Sequence, residues 1–448
     1  MIKWRSLLIW TAVLAVLAGF VYFYEFKGEA GRKSAASKAT HLFDVKEPDI
    51  SSVMIQRNGE KIEVGRQNGQ WKIGSPVATE ADQQALNDMT QNLSASIVTR
   101  YLSNAGNITQ YGLTPPKIHI EFRGAHGETY TLDLGEKDYA GNNVYAKASS
   151  HSEILLLPSY LYSSFDKSLL DLRNRKPISL DTEKVSKIEF EDKTLHLVAE
   201  KSGSDWRILQ PVGTAGDSMG ISSYLGDVAG MEAAAFVDHP DADLSHYGLK
   251  PAAESLTITT GEGKTANRQK VLLGTKQDDR YYAQMEGSPA VFQLASTVAE
   301  KLSPTLFKLR DKRIVTMKLD DLKKVTVQTG GATYEFDKSG SKESRWVVAQ
   351  PKNLAGKDAR EWKFWFPLES LSADEIVDPP GSQSKSQLFA NPAVRITLTD
   401  QASKEIEVLM SKPGKEGVWV KSSGANTVFR IGQKQVEDFT SGLKDVAD

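Results

Sequence analysis

The segment Gly261-Glu262-Gly263-Lys264-Thr265 comes nearest in this chain to a phosphate-binding loop. Such a loop needs a glycine five positions ahead of its Gly-Lys-Thr, so that successive backbone amides wrap the phosphates. Position 258 is isoleucine, within the strand-like run Leu256 to Thr259, and the segment therefore reads as a hairpin turn. Asp238-His239-Pro240-Asp241-Ala242-Asp243 offers oxygen and imidazole ligands for a cation. It lacks the spacing of a calcium loop, and the corresponding stretch Leu102 to Thr109 has no acidic residue, so it reads as a solvated loop. His41, His119, His126, His151, His196, His239 and His246 are scattered, no pair has the spacing of a metal-binding helix, and no Gly-x-Ser-x-Gly elbow occurs. With no cysteine, disulfides, thiolate metal sites and cysteine nucleophiles are excluded together. A formal charge of −2 supplies no basic field for nucleic acid. The expectation is a protein without catalytic residues, cofactor or metal.

Other candidate side chains recur at long intervals. Trp71, Trp206 and Trp346 match one another, as do Tyr145, Tyr282 and Trp419. Aromatic strand residues can stack on sugars, but recurrence at one architectural position favours core packing. Arg173, Arg175, Arg310 and Arg313 follow helical stretches, where the carboxyl end of a helix favours cations; the competing reading is contact with an acidic partner or lipid headgroups. One cluster does not recur: Trp362-Lys363-Phe364-Trp365-Phe366-Pro367 is far more aromatic than its counterparts. Trp362, Phe364, Trp365 and Phe366 are the candidate partner surface, half of it expected in the core.

The elements that position these residues repeat with them. Trp71-Lys72-Ile73-Gly74-Ser75-Pro76 returns as Trp206-Arg207-Ile208-Leu209-Gln210-Pro211 and as Trp346-Val347-Val348-Ala349-Gln350-Pro351, at offsets of 135 and 140 residues. That period is a whole domain rather than a solenoid turn. In the first copy, Asn58-Gly59 and Asn68-Gly69 separate short alternating runs, a strong hairpin signal. Leu86, Met89, Leu93 and Ile97 predict one apolar stripe on a helix over 81–98, and a second helix is expected over 159–172. The second copy places its helix at Ile221 to Phe236 and restates Tyr111-Gly112-Leu113-Thr114-Pro115 as Tyr247-Gly248-Leu249-Lys250-Pro251. The third copy is degenerate, with Leu388-Phe389-Ala390-Asn391-Pro392 at that turn and no basic ending. About seven strands and two helices per copy, joined by short turns, predict a mainly antiparallel α+β domain. The expected boundaries are repeat units at 49–180, 181–319 and 320–448.

Ahead of these, Leu7 to Tyr24 is a run of 18 uncharged, mostly apolar residues after Lys3 and Arg5. As a helix it spans about 27 Å, close to the hydrocarbon thickness of a bilayer. It reads as a retained N-terminal transmembrane anchor over 1–26, the competing reading being a signal peptide cleaved after Ala18. Residues 27–48 read as a flexible tether. Large domains translocate largely regardless of flanking charge, so the bulk of the chain is expected in the periplasm, anchored in the inner membrane.

These features together resemble the bacterial proteins carrying the domain of unknown function 4340. The resemblance rests on the N-terminal anchor, Trp71-Lys72-Ile73 with Ser75-Pro76-Val77, the Tyr-Gly-Leu-x-Pro turns at 111–115 and 247–251, and Leu309-Arg310-Asp311-Lys312-Arg313, echoed by 172–176. It covers the first two copies well; the third departs at the turn and the ending. The resemblance implies a membrane-anchored envelope protein, of a kind often encoded beside ABC transporters of the gliding-motility auxiliary type, with no established catalytic residues. The resulting expectation is a scaffold or accessory protein partnered with ABC transporter subunits. A periplasmic module binding glycan or peptidoglycan fragments is the alternative.

Overall fold

Asn-Gly pairs set the first hairpins. In the computed structural model, which describes residues 41–102, 106–339, 345–379, 381–423 and 426–447, Asn58 and Gly59 have φ of 47° and 80°, and Asn68 and Gly69 have 52° and 79°. Positive φ at both central residues matches the twist of the flanking strands. The turns join β1 (Ser52–Arg57), β2 (Glu60–Gln67) and β3 (Gln70–Ser75), and β4 (Thr79–Glu80), β5 (Arg100–Leu102), β6 (Ile118–Arg123), β7 (Thr129–Lys137), β8 (Asn143–Ala148) and β9 (Ile154–Pro158) complete the sheet. Its order is β4-β3-β2-β1-β6-β7-β8-β9-β5, with antiparallel ladders.

The second sheet repeats the pattern with β10 (Val185–Glu191), β11 (His196–Ser202), β12 (Asp205–Gln210), β13 (Thr214–Ala215), β14 (Ala235–Val237), β15 (Glu254–Thr260), β16 (Asn267–Gln277), β17 (Arg280–Met285) and β18 (Val291–Ala295). Its neighbours run β13-β12-β11-β10-β15-β16-β17-β18. The third sheet has β19 (Leu322–Thr329), β20 (Ala332–Lys338), β21 (Trp346–Gln350), β22 (Glu375–Val377), β23 (Val394–Asp400), β24 (Glu405–Met410), β25 (Val418–Ser422) and β26 (Val428–Ile431), in the order β21-β20-β19-β23-β24-β25-β26-β22. The chain divides into two compact units: one runs to Pro177 and includes Glu232–His239, and the other holds Ile178–Met231 and Pro240 onward.

Trp71, Trp206 and Trp346 are all buried, as expected of core residues. Trp71 is clamped to the following helix on both backbone sides, its N–H donating to Gln83 Oε1 at 2.8 Å and its carbonyl accepting from Gln83 Nε2 at 2.9 Å. Its ring N–H donates to Asn87 Oδ1 at 3.0 Å, so the buried indole is satisfied.

Several expectations are corrected. The first helix is Gln83–Ala95, capped by Asp82, and buries Leu86, Met89 and Leu93. Ile97 falls outside it and is 43% exposed, because Ser96 turns extended and its carbonyl accepts from the Leu42 N–H at 2.7 Å. The single helix expected over 159–172 is two, Tyr160–Phe165 and Leu169–Leu172, the second opened by a Ser168–Asp171 capping box. The second sheet's helix is Ser218–Ala229, stopped at Gly230, and Phe236 lies in β14. Short strands such as β4, β5 and β22 raise the strand counts to nine, nine and eight. Leu42 and Phe43 are fully buried in the first core, so the expected tether does not extend that far. Ile314 and Val315 belong to the third core, ahead of the expected boundary at 320. Leu7 to Tyr24 and residues 27–40 lie outside the described residues; among those described, no helix is long and apolar enough to cross a membrane.

Candidate functional site

The unrepeated aromatic stretch forms two short helices, Glu361–Phe364 and Phe366–Glu369, continuous through Trp365 in a right-handed helical conformation. Residues four apart on such a stretch are neighbours on one face. Trp362 and Phe366 are that pair, 58% and 55% exposed. Phe364 and Trp365 turn inward and are buried, which removes them from the expected partner surface. The Phe364 ring stacks on Phe336 with centroids 4.0 Å apart and meets Trp346 edge-on at 5.9 Å. The Trp365 ring N–H donates to Glu369 Oε2 at 3.1 Å. Ion pairs from Lys363 and Arg360 to Asp445, at 3.2 and 3.0 Å, fix the adjoining face.

A cleft of about 1000 Å³ in the second compact unit is bordered by Asp217, Met219, Asp311, Lys312, Arg313 and Glu369. Asp217 caps the helix Ser218–Ala229, accepting from the Met219 and Gly220 N–H groups at 3.1 and 3.0 Å, and Lys312 Nζ lies 3.3 Å away. Burial pushes its carboxyl up, but the Gly220 N–H and the Lys312 ammonium outweigh that and hold it below its ordinary value. Arg313 forks onto Asp311 at 2.6–3.0 Å, and that hydrogen bonding raises its pKa further. Asp217 with Lys312 and Asp311 with Arg313 are thus paired within this polar cleft.

The first unit holds a shallower groove of about 690 Å³ containing a histidine–carboxylate pair, His119 Nδ1 and Asp133 Oδ1 at 2.6 Å. The two residues face each other across β6 and β7. A triad needs a nucleophile beside such a pair, and the groove's lining includes no serine, threonine or cysteine. The matching groove of the second sheet has Ser255 opposite Leu272 at these positions, so the groove recurs and the pair does not.

The other sequence candidates separate. Gly261 to Thr265 makes the turn between β15 and β16, with Gly261 at φ 75°. Asp243 caps the 3-10 turn Leu244–Tyr247, and Asp241 lies 3.0 Å from His246 Nδ1. Among the described residues, no group of three or more histidine or acidic side chains is arranged to hold a metal ion. Tyr145 and Tyr282 are half-buried, their rings packed on Tyr111 and Tyr247 at 4.7 and 5.0 Å. Trp419, at the same place in the third sheet, packs with Phe389 of the segment that replaces those turns.

The arginines do something the spacing of their own segment did not suggest. Arg173 is 5% exposed, donates to Asp238 Oδ1 at 2.5 Å, and lies 3.6 Å from the Phe236 ring centroid. Arg310 is 5% exposed and grips Asp378 with two bonds of 2.7 and 3.1 Å. Each arginine bridges back to its own sheet's helix start, Ala81 with Arg173 and Gly216 with Arg310; in the third sheet the corresponding bridge joins Ala359 to Ala447. An alanine therefore stands where the final arginine would be. The acids were missed because the visible motif was basic. The signal was a second spacing: Asp238 and Asp378 lie 140 residues apart, against 137 for the arginines.

A family model described as Domain of unknown function (DUF4340) matches residues 71–251 and again 206–379. Each matched stretch opens on a repeated tryptophan and contains one complete arginine–aspartate pair. No curated protein matches the chain. Among solved structures, a DNA polymerase sliding clamp from Pseudomonas aeruginosa with ligand is 7% identical over 89% of this chain and 97% of its own, with a TM-score of 0.13. A DnaN sliding clamp (DNA polymerase III subunit beta) from Pseudomonas aeruginosa, bound to griselimycin, is 7% identical over 88% and 94%, with a TM-score of 0.11. Neither score bears on the fold.

Proposed function

Because the chain belongs to the family carrying the domain of unknown function 4340, we propose that it is a non-catalytic scaffold or accessory protein of the cell envelope. In this reading, residues 7–24 anchor it in the inner membrane and three tandem repeats project into the periplasm. Its partners are subunits of an ABC transporter. The observation that carries the reading is the pairing of Trp362 and Phe366 on one exposed face while their neighbours Phe364 and Trp365 are buried. Aromatic pairs of this kind act as interface anchors, since they bury a large area on contact. The arginines and the Asp217–Lys312 pair support the reading by being engaged within the protein.

The test is capture of transporter subunits by the full-length protein from detergent-solubilised envelope membranes. The expected result is that transporter membrane or ATP-binding subunits co-purify with the wild type. A Trp362→Ala/Phe366→Ala protein should lose them while keeping its thermal midpoint. Recovery of no transporter subunit with the wild type, or equal recovery with the double variant, overturns the proposal.

A further inference from the structure

The chain enters each sheet through an apolar segment ahead of a 3-10 turn. Leu42 and Phe43 precede Glu47–Asp49, Ile178 precedes Thr182–Lys184, and Ile314 and Val315 precede Leu319–Asp321. The residue after each turn is buried, Ile50, Val185 and Leu322, which aligns Phe43, Ile178 and Val315 with one another. Strand register aligns two further positions: Phe122 faces Tyr130, Ile258 faces Gln269, and Leu398 faces Ile406.

The three sheets fill this shared place differently. In the first, three rings occupy it: Phe43 meets Phe122 at 4.9 Å and Tyr130 at 5.6 Å, and Phe122 stacks on Tyr130 at 5.0 Å. In the second, Gln269 reaches the entering segment, its Nε2 donating to the Ser179 carbonyl at 2.8 Å and its Oε1 accepting the Ser179 N–H at 3.3 Å. In the third, the same positions hold Val315, Leu398 and Ile406, which supply neither rings nor a polar bridge. A partly open pocket of about 200 Å³ lies there, lined also by Phe429 and Met317, with Arg313, Thr316 and Ser422 as its polar border.

We propose that this pocket is a binding site for a single small aromatic molecule of toluene or cresol size. A closed apolar cavity of about 150 Å³ accepts one benzene ring, so 200 Å³ is room for one ring with a small substituent. The first sheet shows the geometry a ring takes in this setting, since its own side chains provide it. Thr316 and Ser422 offer partners to a phenolic hydroxyl, so cresol binds more tightly than toluene.

The test titrates methyl-labelled full-length protein with p-cresol and with toluene. The expected result is saturable binding, a raised thermal midpoint, and intermolecular contacts from ring protons to the methyl groups of Val315, Leu398 and Ile406. Val315→Phe, which places the first sheet's own residue in the pocket, should weaken binding by about tenfold or more. Ile406→Tyr does the same from the opposite wall and serves if Val315→Phe does not fold. Absence of saturable binding overturns the proposal. So do ring contacts to methyl groups elsewhere, or undiminished binding by a folded filling variant.

Discussion

Replacing Asp378 with alanine tests whether the Arg310–Asp378 pair joins the second and third sheets or merely decorates them. Arg310 is 5% exposed, and Asp378 takes its two terminal nitrogens at 2.7 and 3.1 Å. The Arg310 Nε is already buried without a hydrogen-bond partner, so the variant leaves the whole guanidinium unsupported. Thr427 also loses the acceptor for its hydroxyl, now 3.1 Å from Asp378 Oδ1. Breaking one side of a buried ion pair costs roughly 3–5 kcal/mol. Asp378 keeps 23% side-chain exposure, which admits water and sets the expected loss at the low end, about 3 kcal/mol. The loss should be local to the joint, where the Ile314 and Ala373 N–H groups donate to the Leu371 and Lys312 carbonyls at 3.1 and 2.8 Å. Native-state hydrogen exchange reads those two amides directly, and their protection should fall by about 100-fold. The double variant Arg310→Leu/Asp378→Leu removes both charges and should return to within about 1 kcal/mol of wild type. An Asp378→Ala protein whose joint amides keep their protection would falsify the reasoning. A double variant as unstable as the single would do the same.

Other outcomes follow from particular contacts. Trp71→Ala should cost about 3–5 kcal/mol in urea unfolding, since it empties a buried indole site in the first core. Gly274→Ala should destabilise by about 3 kcal/mol or more, because an added Cβ would stand 2.0 Å from the Tyr247 carbonyl oxygen. Gly59→Ala, at φ 80° but with open space around it, should cost only about 1–2 kcal/mol by the same measurement. Asp217 has a folded pKa below its unfolded value, so its contribution is present above the unfolded value and is lost as pH falls through the folded one. Thermal midpoints measured as the pH drops below about 4 should therefore fall more steeply in wild type than in Asp217→Asn.

The central ladders were legible because alternation and turn chemistry agree: Asn58-Gly59 and Asn68-Gly69 both adopt the positive φ their types favour. The repeated glycines of Leu134-Gly135 and Leu273-Gly274 were visible as a match, and the reason emerges only in three dimensions. The Tyr111 and Tyr247 carbonyls press within 2.1 and 2.0 Å of where a Cβ would sit. The third sheet has lost both the turn and the glycine; Ser411 stands there and accepts the Trp419 N–H at 3.0 Å. Helix ends were harder. The apolar stripe continued to Ile97, but a backbone bond from Leu42 stops the helix at Ala95, and nothing local reports a partner more than fifty residues away. At the candidate surface, the pattern found the aromatic cluster but not its division. Which rings turn inward depends on Phe336 and Trp346, on strands distant in sequence.

Phe43 has a mechanical meaning as well. The chain reaches the first sheet through a bridge between His41 and Ile97, the Leu42 N–H donates to the Ser96 carbonyl at 2.7 Å, and Ser150 Oγ donates to the Leu42 carbonyl at 2.7 Å. Tension arriving from residues before His41 is therefore borne by a clamped backbone and by the Phe43 ring, packed edge-on against the stacked rings of Phe122 and Tyr130. A loop at that point would yield and absorb the pull. Displacing this entry requires the Phe43 ring to leave the core as the Leu42 backbone bonds break, so the first sheet would meet a pull on its N-terminal side with a threshold rather than a gradual give.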